Sequence, residues 1–181
     1  NCSIYAGDYC DAAGSNIVIL TSGIARKPGQ TRLELAQTNV NITKSILPQI
    51  TKYAPNAIYI IVSNPVDILT YVFFKQSGLP ANHIIGSGTV LDTSRLRARL
   101  SEYYNINQTN VHAYVFGEHG DSSFVPWSVA NISGVPIKDC PQLITTPGMI
   151  SPALDFAEIE TYVKKSGGRV IARKGATFYA V

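Results

Sequence analysis

The chain has 181 residues, 45% hydrophobic and 15% charged, with 15 Lys and Arg against 12 Asp and Glu, a net charge of +3 and a pI near 8.8. This composition can bury a sizeable core in one or two domains and excludes an intrinsically disordered chain. The cations are scattered, without a basic run or aromatic interleaving, which excludes a nucleic-acid surface as a leading reading, and no apolar stretch reaches the roughly 18 to 20 residues of a membrane span.

Three cysteines, Cys2, Cys10 and Cys140, leave an odd thiol and no paired metal-ligand spacing. They argue against a disulfide framework or a zinc site and for a reducing, cytoplasmic compartment. No basic n-region followed by an apolar h-region opens the chain, so an unexported protein is expected. Asn1 stands in what reads as the approach to a strand and GATFYAV closes the sequence inside what reads as an element. A fragment of a longer protein is therefore expected.

In chain order, NIVILTSG (16–23) is a short apolar run ended by Gly, and AIYIIVSNPVD (57–67) repeats the form with Asn-Pro as its stop. Both read as strands buried on two faces. Between them Leu33, Leu35, Val40, Ile42, Ile46, Leu47 and Ile50 recur at roughly helical intervals from Thr31 to about Tyr53, with Pro only at 48. Strand, helix, strand predicts a parallel sheet. A second helix is predicted from Val66 to Ser77, stopped by Gly78 and Pro80, and HIIGSG (83–88) is another brief apolar run before turn glycines. In open parallel sheets ligands collect at the carboxyl ends of the strands, where TSG, SNP and GSG fall.

A helix is predicted from Thr89 to about Tyr104, followed by VHAYVFGEHG (111–120), an alternating strand running into a polar, Gly-flanked turn. Residues 121–150 hold short β-like runs such as GVPI among Pro and Gly. Ser151 and Pro152 are a good N-cap and N1 pair for a helix beginning near Ala153, with Asp155 and Glu158 early and Lys164 and Lys165 later, the order the helix dipole prefers. Gly167-Gly168 either ends that helix or weakens its middle.

Four residues stand out chemically. His119 lies at a strand end between glycines that allow close approach. Asp92 and Arg95, three apart, share one face of the 89–104 helix. An Asp that hydrogen-bonds a His fixes its tautomer and stabilises its protonated form, giving a proton donor and acceptor near neutral pH. Arg95, one turn on, offers a planar fork for a carboxylate. Asn64 stands before a Pro at a strand's carboxyl end, where an amide can orient a carbonyl or an amide-bearing ring. Each also has a plain structural reading: a core His, a surface ion pair, a turn Asn.

YAGDY (5–9), TSGIARKPGQTR (21–32), VSNPVDILTY (62–71), GSGTVLDTSRLR (86–97), VHAYVFGEHGDSS (111–123) and KGATFYAV (174–181) together resemble the successive motifs of the L-lactate and malate dehydrogenases. The resemblance spans essentially the whole chain and corresponds to the middle and later parts of that family's proteins. It implies an α/β fold: a partial Rossmann-type, doubly wound parallel sheet over 1–86 as the later part of an NAD-binding domain, then the first part of an α+β catalytic domain over 87–181. It implies that His119 is the proton donor to a ketone oxygen and Asp92 its orienting partner. Arg95 would pair with the substrate carboxylate, Arg32 on a closing loop would polarise the carbonyl, and Asn64 would contact substrate and nicotinamide. Tyr9, Gly23, Ile24, Ser45, Val62 and Ser87 match positions lining the NAD cleft. Arg97 and His112 match the Arg and His that bind fructose 1,6-bisphosphate in the family's activated bacterial lactate dehydrogenases, and a homotetramer is usual there.

The substrate stays open between two 2-keto acids. Arg26 matches the position that reads the substrate's far end, where lactate enzymes usually carry Gln and malate enzymes Arg. The AGDY segment, the GEHGDS turn, the Arg97 and His112 pair and Thr177 are instead lactate-like. L-lactate dehydrogenase is the leading expectation and malate dehydrogenase the alternative. A catalytically silent dinucleotide-binding protein is a third, since fold alone does not give function.

Overall fold

A computed structural model describes residues 2–25, 32–140 and 154–175, and of Arg32 only the backbone. Arg26, Ser151, Pro152, Thr177 and the Arg32 side chain, all singled out above, lie outside the described residues. The chain divides into two units, Asn1–Gly88 and Thr89–Val181.

In the first unit β-branched runs form β1 (Ile17–Leu20) and β2 (Ile58–Ile61), joined by α1 (Arg32–Tyr53). The helix α2 (Val66–Ser77) then leads to β3 (Ile84–Gly86), and the three strands form a parallel sheet in the order β1-β2-β3. α2 stops at Gly78, whose φ of 70° no β-carbon has to tolerate. α1 continues through Pro48, giving up one backbone bond. A carbonyl of its last turn and one just past its end gain a partner from the sheet: the Tyr59 hydroxyl on β2 donates to Ile50 O at 3.3 Å and Ala54 O at 2.9 Å.

Strand alternation decides which side chains the helices cover. Val18, Leu20, Tyr59, Ile61 and Ile84 pack with Leu47, Ile50, Leu69 and Phe73. Phe73 is fully buried and contributes about 1.5–3 kcal/mol by leaving water. The register pairs Ile17 with Ile58 and Ile60 with Ile85 on the opposite face. There Ile17, Ile19, Ile58 and Ile85 remain exposed. The described crossover helices thus supply one of the two layers of a doubly wound α/β sheet, with its strand-end loops beside one another.

The second unit contains α3 (Val90–Tyr104), a small antiparallel sheet of β4 (Val111–His112), β5 (Asn131–Ile132) and β6 (Val135–Pro136), and α4 (Phe156–Lys174). Ser133 and Gly134, both at positive φ, turn β5 into β6, and Gly134 N–H donates to Asn131 Oδ1 at 2.9 Å. Leu96, Leu100 and Tyr104 of α3 share a core with Val111, Ala113, Val115, Ile132, Ile159 and Val163.

Two expectations change here. The alternation of 111–120 survives as burial, with Val111, Ala113 and Val115 inside, but the ladder covers only β4. The reason is that Val115 satisfies its backbone from α3: its N–H donates to Thr93 Oγ1 at 2.9 Å and its C=O accepts from Thr89 Oγ1 at 2.6 Å. The last helix begins at Phe156, and its N-cap is Asp155, whose carboxylate accepts from Ala157 N at 2.9 Å and Glu158 N at 3.1 Å. A carboxylate satisfies two of the donors a helix start leaves bare, and its charge suits the dipole. Of the two readings of Gly167-Gly168 the mid-helix one holds: both lie inside α4, which ends at Gly175.

Candidate active site

The second unit builds a charged cluster from α3 and the turn after β4. Asp92 lies in the first turn of α3 and is 6% exposed, where the helix dipole favours a carboxylate. His119 Nδ1 is 2.6 Å from Asp92 Oδ2. A carboxylate only accepts, so Nδ1–H is the donor, the tautomer is set, and proton exchange with a ligand falls to Nε2. On the other side Arg95 Nη1 lies 3.6 Å from Asp92 Oδ1. One buried carboxylate thus faces an imidazole and a guanidinium, and the i,i+3 spacing read from the sequence is what places Arg95 beside it.

The backbone around His119 is held at several points. Phe116 and Phe124 exchange backbone hydrogen bonds of 2.8 and 2.9 Å that close the turn at its base. Ser123, 4% exposed, donates its hydroxyl to Gly120 O at 2.9 Å. Lys164 of α4 donates to Asp121 O at 3.1 Å. Upstream, Thr89 and Thr93 grip the Val115 peptide. Thr89 occupies the N-cap of α3, yet its hydroxyl makes no capping bond and reaches Val115 instead. Motif reading missed Thr89, Thr93 and Lys164, because each acts through a partner in another segment, and Ser123, whose bond to Gly120 three residues back forms only once the turn has closed.

The first unit gathers the expected dinucleotide residues at the carboxyl ends of its parallel strands. Gly23 and Ile24 follow β1, Val62 and Asn64 follow β2, and Ser87 follows β3, with its N–H donating to Ile61 O at 2.8 Å. The Asn64–Pro65 bond is cis, and Asn64 Oδ1 accepts from Val66 N at 3.3 Å. Ile24 and Val62 are 39% and 41% exposed, apolar surface at strand ends that a planar ring would cover. Tyr9 is half-buried in a 3-10 turn and packs on the sheet core. Ser45 is exposed on α1 with its hydroxyl on Ile42 O at 2.8 Å. These residues fit a dinucleotide: open glycine-bearing loops, exposed aliphatic side chains and strand-end amides.

Sequence reading overlooked one residue here. Asn39 on α1 is 3% exposed and bonds to the loops after both β1 and β2. Its only local signal is a polar residue on a helix's apolar face.

Arg97 and His112 are in the second unit. Arg97 Nη2 donates to Gln108 O at 3.3 Å and its Nε makes no hydrogen bond, while His112 is exposed on β4. Among the described residues, no group of three or more His, Cys, Asp and Glu side chains could hold a metal ion, and no helix is long and apolar enough to cross a membrane.

Two family models match the chain: lactate/malate dehydrogenase, NAD binding domain, over residues 1–86, and lactate/malate dehydrogenase, alpha/beta C-terminal domain, over 89–181. L-lactate dehydrogenase 1 of Clostridium acetobutylicum is 51% identical over 98% of this chain and 56% of its own length. The L-lactate dehydrogenase of Thermoanaerobacterium saccharolyticum is 47% identical over 99% of this chain and 57% of its own. The chain therefore spans little more than half the length of these curated relatives. Among solved structures, the minor L-lactate dehydrogenase of Enterococcus mundtii superposes with a TM-score of 0.88 at 38% identity, covering 99% of this chain and 56% of that one. The malate dehydrogenase of Picrophilus torridus gives 0.82 at 35%, covering 95% and 51%. With family models matching residues 1–86 and 89–181 and identities near one half, the chain belongs to the lactate/malate dehydrogenase family.

Proposed function

We propose that this chain carries the proton-transfer and much of the coenzyme machinery of an NAD-dependent L-2-hydroxy acid dehydrogenase that interconverts pyruvate and (S)-lactate. The observation that carries the reading is the His119, Asp92 and Arg95 cluster, with a 2.6 Å imidazole–carboxylate bond and a guanidinium 3.6 Å from the same carboxylate. His119 Nε2 delivers a proton to the ketone oxygen in reduction and takes it back in oxidation. Asp92 steadies the ring as it gains and loses charge, and Arg95 grips the substrate carboxylate. Arg32 meets the negative charge growing on oxygen. Gly23, Ile24, Val62, Asn64 and Ser87, with Tyr9 and Ser45, hold the dinucleotide, whose reduced nicotinamide supplies the hydride when bound.

Pyruvate is preferred to oxaloacetate because of the lactate-type relatives and the lactate-like AGDY, GEHGDS and Thr177 features. Malate remains a second reading on one observation: Arg26 is a cation where a second carboxylate would be read. An Arg beside a methyl group leaves a charge unpaired, which costs several kcal/mol in a closed site and little if the side chain reaches solvent. Arg97 and His112 serve an activating sugar bisphosphate, and the enzyme works as a cytoplasmic homotetramer. The test is kcat/KM for both keto acids with NADH in full-length recombinant enzyme. Pyruvate is expected to win, and a higher value for oxaloacetate refutes the lactate assignment.

A further inference from the structure

Asn39 does something the motifs do not announce. Its Oδ1 accepts from Ile24 N–H at 2.9 Å, and its Nδ2 donates to Ile24 O at 3.3 Å and to Asn64 O at 2.7 Å. One amide, 3% exposed, thus ties the loop after β1 to the loop after β2 across sequence separations of 15 and 25 residues. Its orientation is dictated by the partners, since a flipped amide would set NH2 against the Ile24 N–H. Gly23 makes room for it: a β-carbon there would lie 3.2 Å from Asn39 Oδ1 and 3.3 Å from its amide carbon.

Only a primary amide of this length offers one acceptor and two donors at that spot. Asp can only accept and would face two carbonyl oxygens, while Ser has one donor on a shorter arm. Buried polar groups in such a network are costly to leave half-satisfied.

We propose that Asn39 is a positioning residue that sets the spacing of the Gly23–Ile24 loop and the Asn64 loop, so that both engage the coenzyme together. It acts through those backbones and not on the coenzyme. This rests on the loops' role given under Proposed function.

The test uses full-length enzyme as wild type, Asn39→Asp and Asn39→Ser, with NADH Kd from nicotinamide fluorescence, kcat, KM and Tm measured on each. The expected result is an NADH Kd about 10- to 100-fold weaker and a lower kcat in protein still folded at the assay temperature, since small misplacements of positioning groups cost on that scale. In an Asn64→Ala background, Asn39→Asp is expected to lower kcat by less than in the wild type, because the backbone it positions no longer presents the amide. A residue that only supports the fold would lower Tm and leave Kd and kcat per folded site within about twofold, and that result overturns the proposal. Asn39→Ser leaves at most one donor, on a shorter arm, and brings no buried charge, so it decides the matter should the Asp variant fail to fold. A wild type that binds no NADH sinks the functional reading and the proposal together. An active wild type with unaffected Asn39 variants sinks the proposal alone.

Discussion

Replacing Asp92 by Asn tests the proposed proton-transfer role of the His119 and Asp92 pair most directly. The change keeps the side chain's shape and removes its charge at a site 6% exposed. At 2.6 Å from His119 Nδ1 the carboxylate's bond to an imidazolium is charge-assisted, about 1.5–3 kcal/mol net, against about 0.5–1.5 for a neutral pair. The difference, about 1–2 kcal/mol, corresponds to roughly 5- to 30-fold in the step where the ring is charged. An Asn that turns its NH2 toward Nδ1 selects the wrong tautomer, and the loss then approaches the roughly 10⁴-fold known for that defect in hydrolytic triads. Arg95 also loses its anionic neighbour at 3.6 Å, so KM for the keto acid is expected to rise as kcat falls. Steady-state reduction of pyruvate by NADH, with coenzyme saturating, reads both constants. An Asp92→Asn enzyme within twofold of wild type in kcat/KM would refute the role given to the carboxylate.

Two further outcomes concern the fold around the sites. Gly86→Ala would place a β-carbon 2.5 Å from Thr70 Oγ1 and 3.3 Å from Thr70 Cβ, while that hydroxyl is held on Val66 O at 2.7 Å. A loss of about 1–3 kcal/mol is expected from urea unfolding, part of it recovered in a Gly86→Ala/Thr70→Ala double variant, and equal losses in both backgrounds would show that the contact is not the cause. At alkaline pH the fold is expected to weaken. Burial, then the neighbouring Tyr103 and Cys140, push the Tyr104 hydroxyl up to about 12, and burial also raises Tyr59 and Cys140. Groups raised in the folded state keep their contribution below their unfolded values and lose it as pH climbs through the folded ones. Stability should therefore fall between about pH 10 and 12. Because the Tyr104 hydroxyl is buried without a partner, Tyr104→Phe should flatten that decline with no loss at pH 7. Urea midpoints at pH 7 and 11 check both points, and an unchanged alkaline slope in the Phe variant would contradict the assignment.

Much of the fold was legible because its rules are local. Val66–Ser77 was bounded by Gly78 and Pro80, and it forms over those residues. Asp155 was read as an early residue of the last helix and is its cap, because locating a cap requires knowing where the chain enters the helix. The 113–115 segment alternates as a strand should, but two threonines of another element take its backbone bonds. No period in the sequence carries that information.

What the sequence determined by itself was short-range: the helical and strand periods, the punctuation by Gly and Pro, the shared face of Asp92 and Arg95, and the ordered motifs that resemble one family. What only the tertiary structure decided was which distant groups meet. His119 finds Asp92 across 27 residues, and Asn39 finds Ile24 and Asn64 across 15 and 25. The physical reason lies in range. Backbone preferences and side-chain spacing act within a turn or two, whereas a hydrogen bond between elements forms only after packing has brought its two ends within about 3 Å.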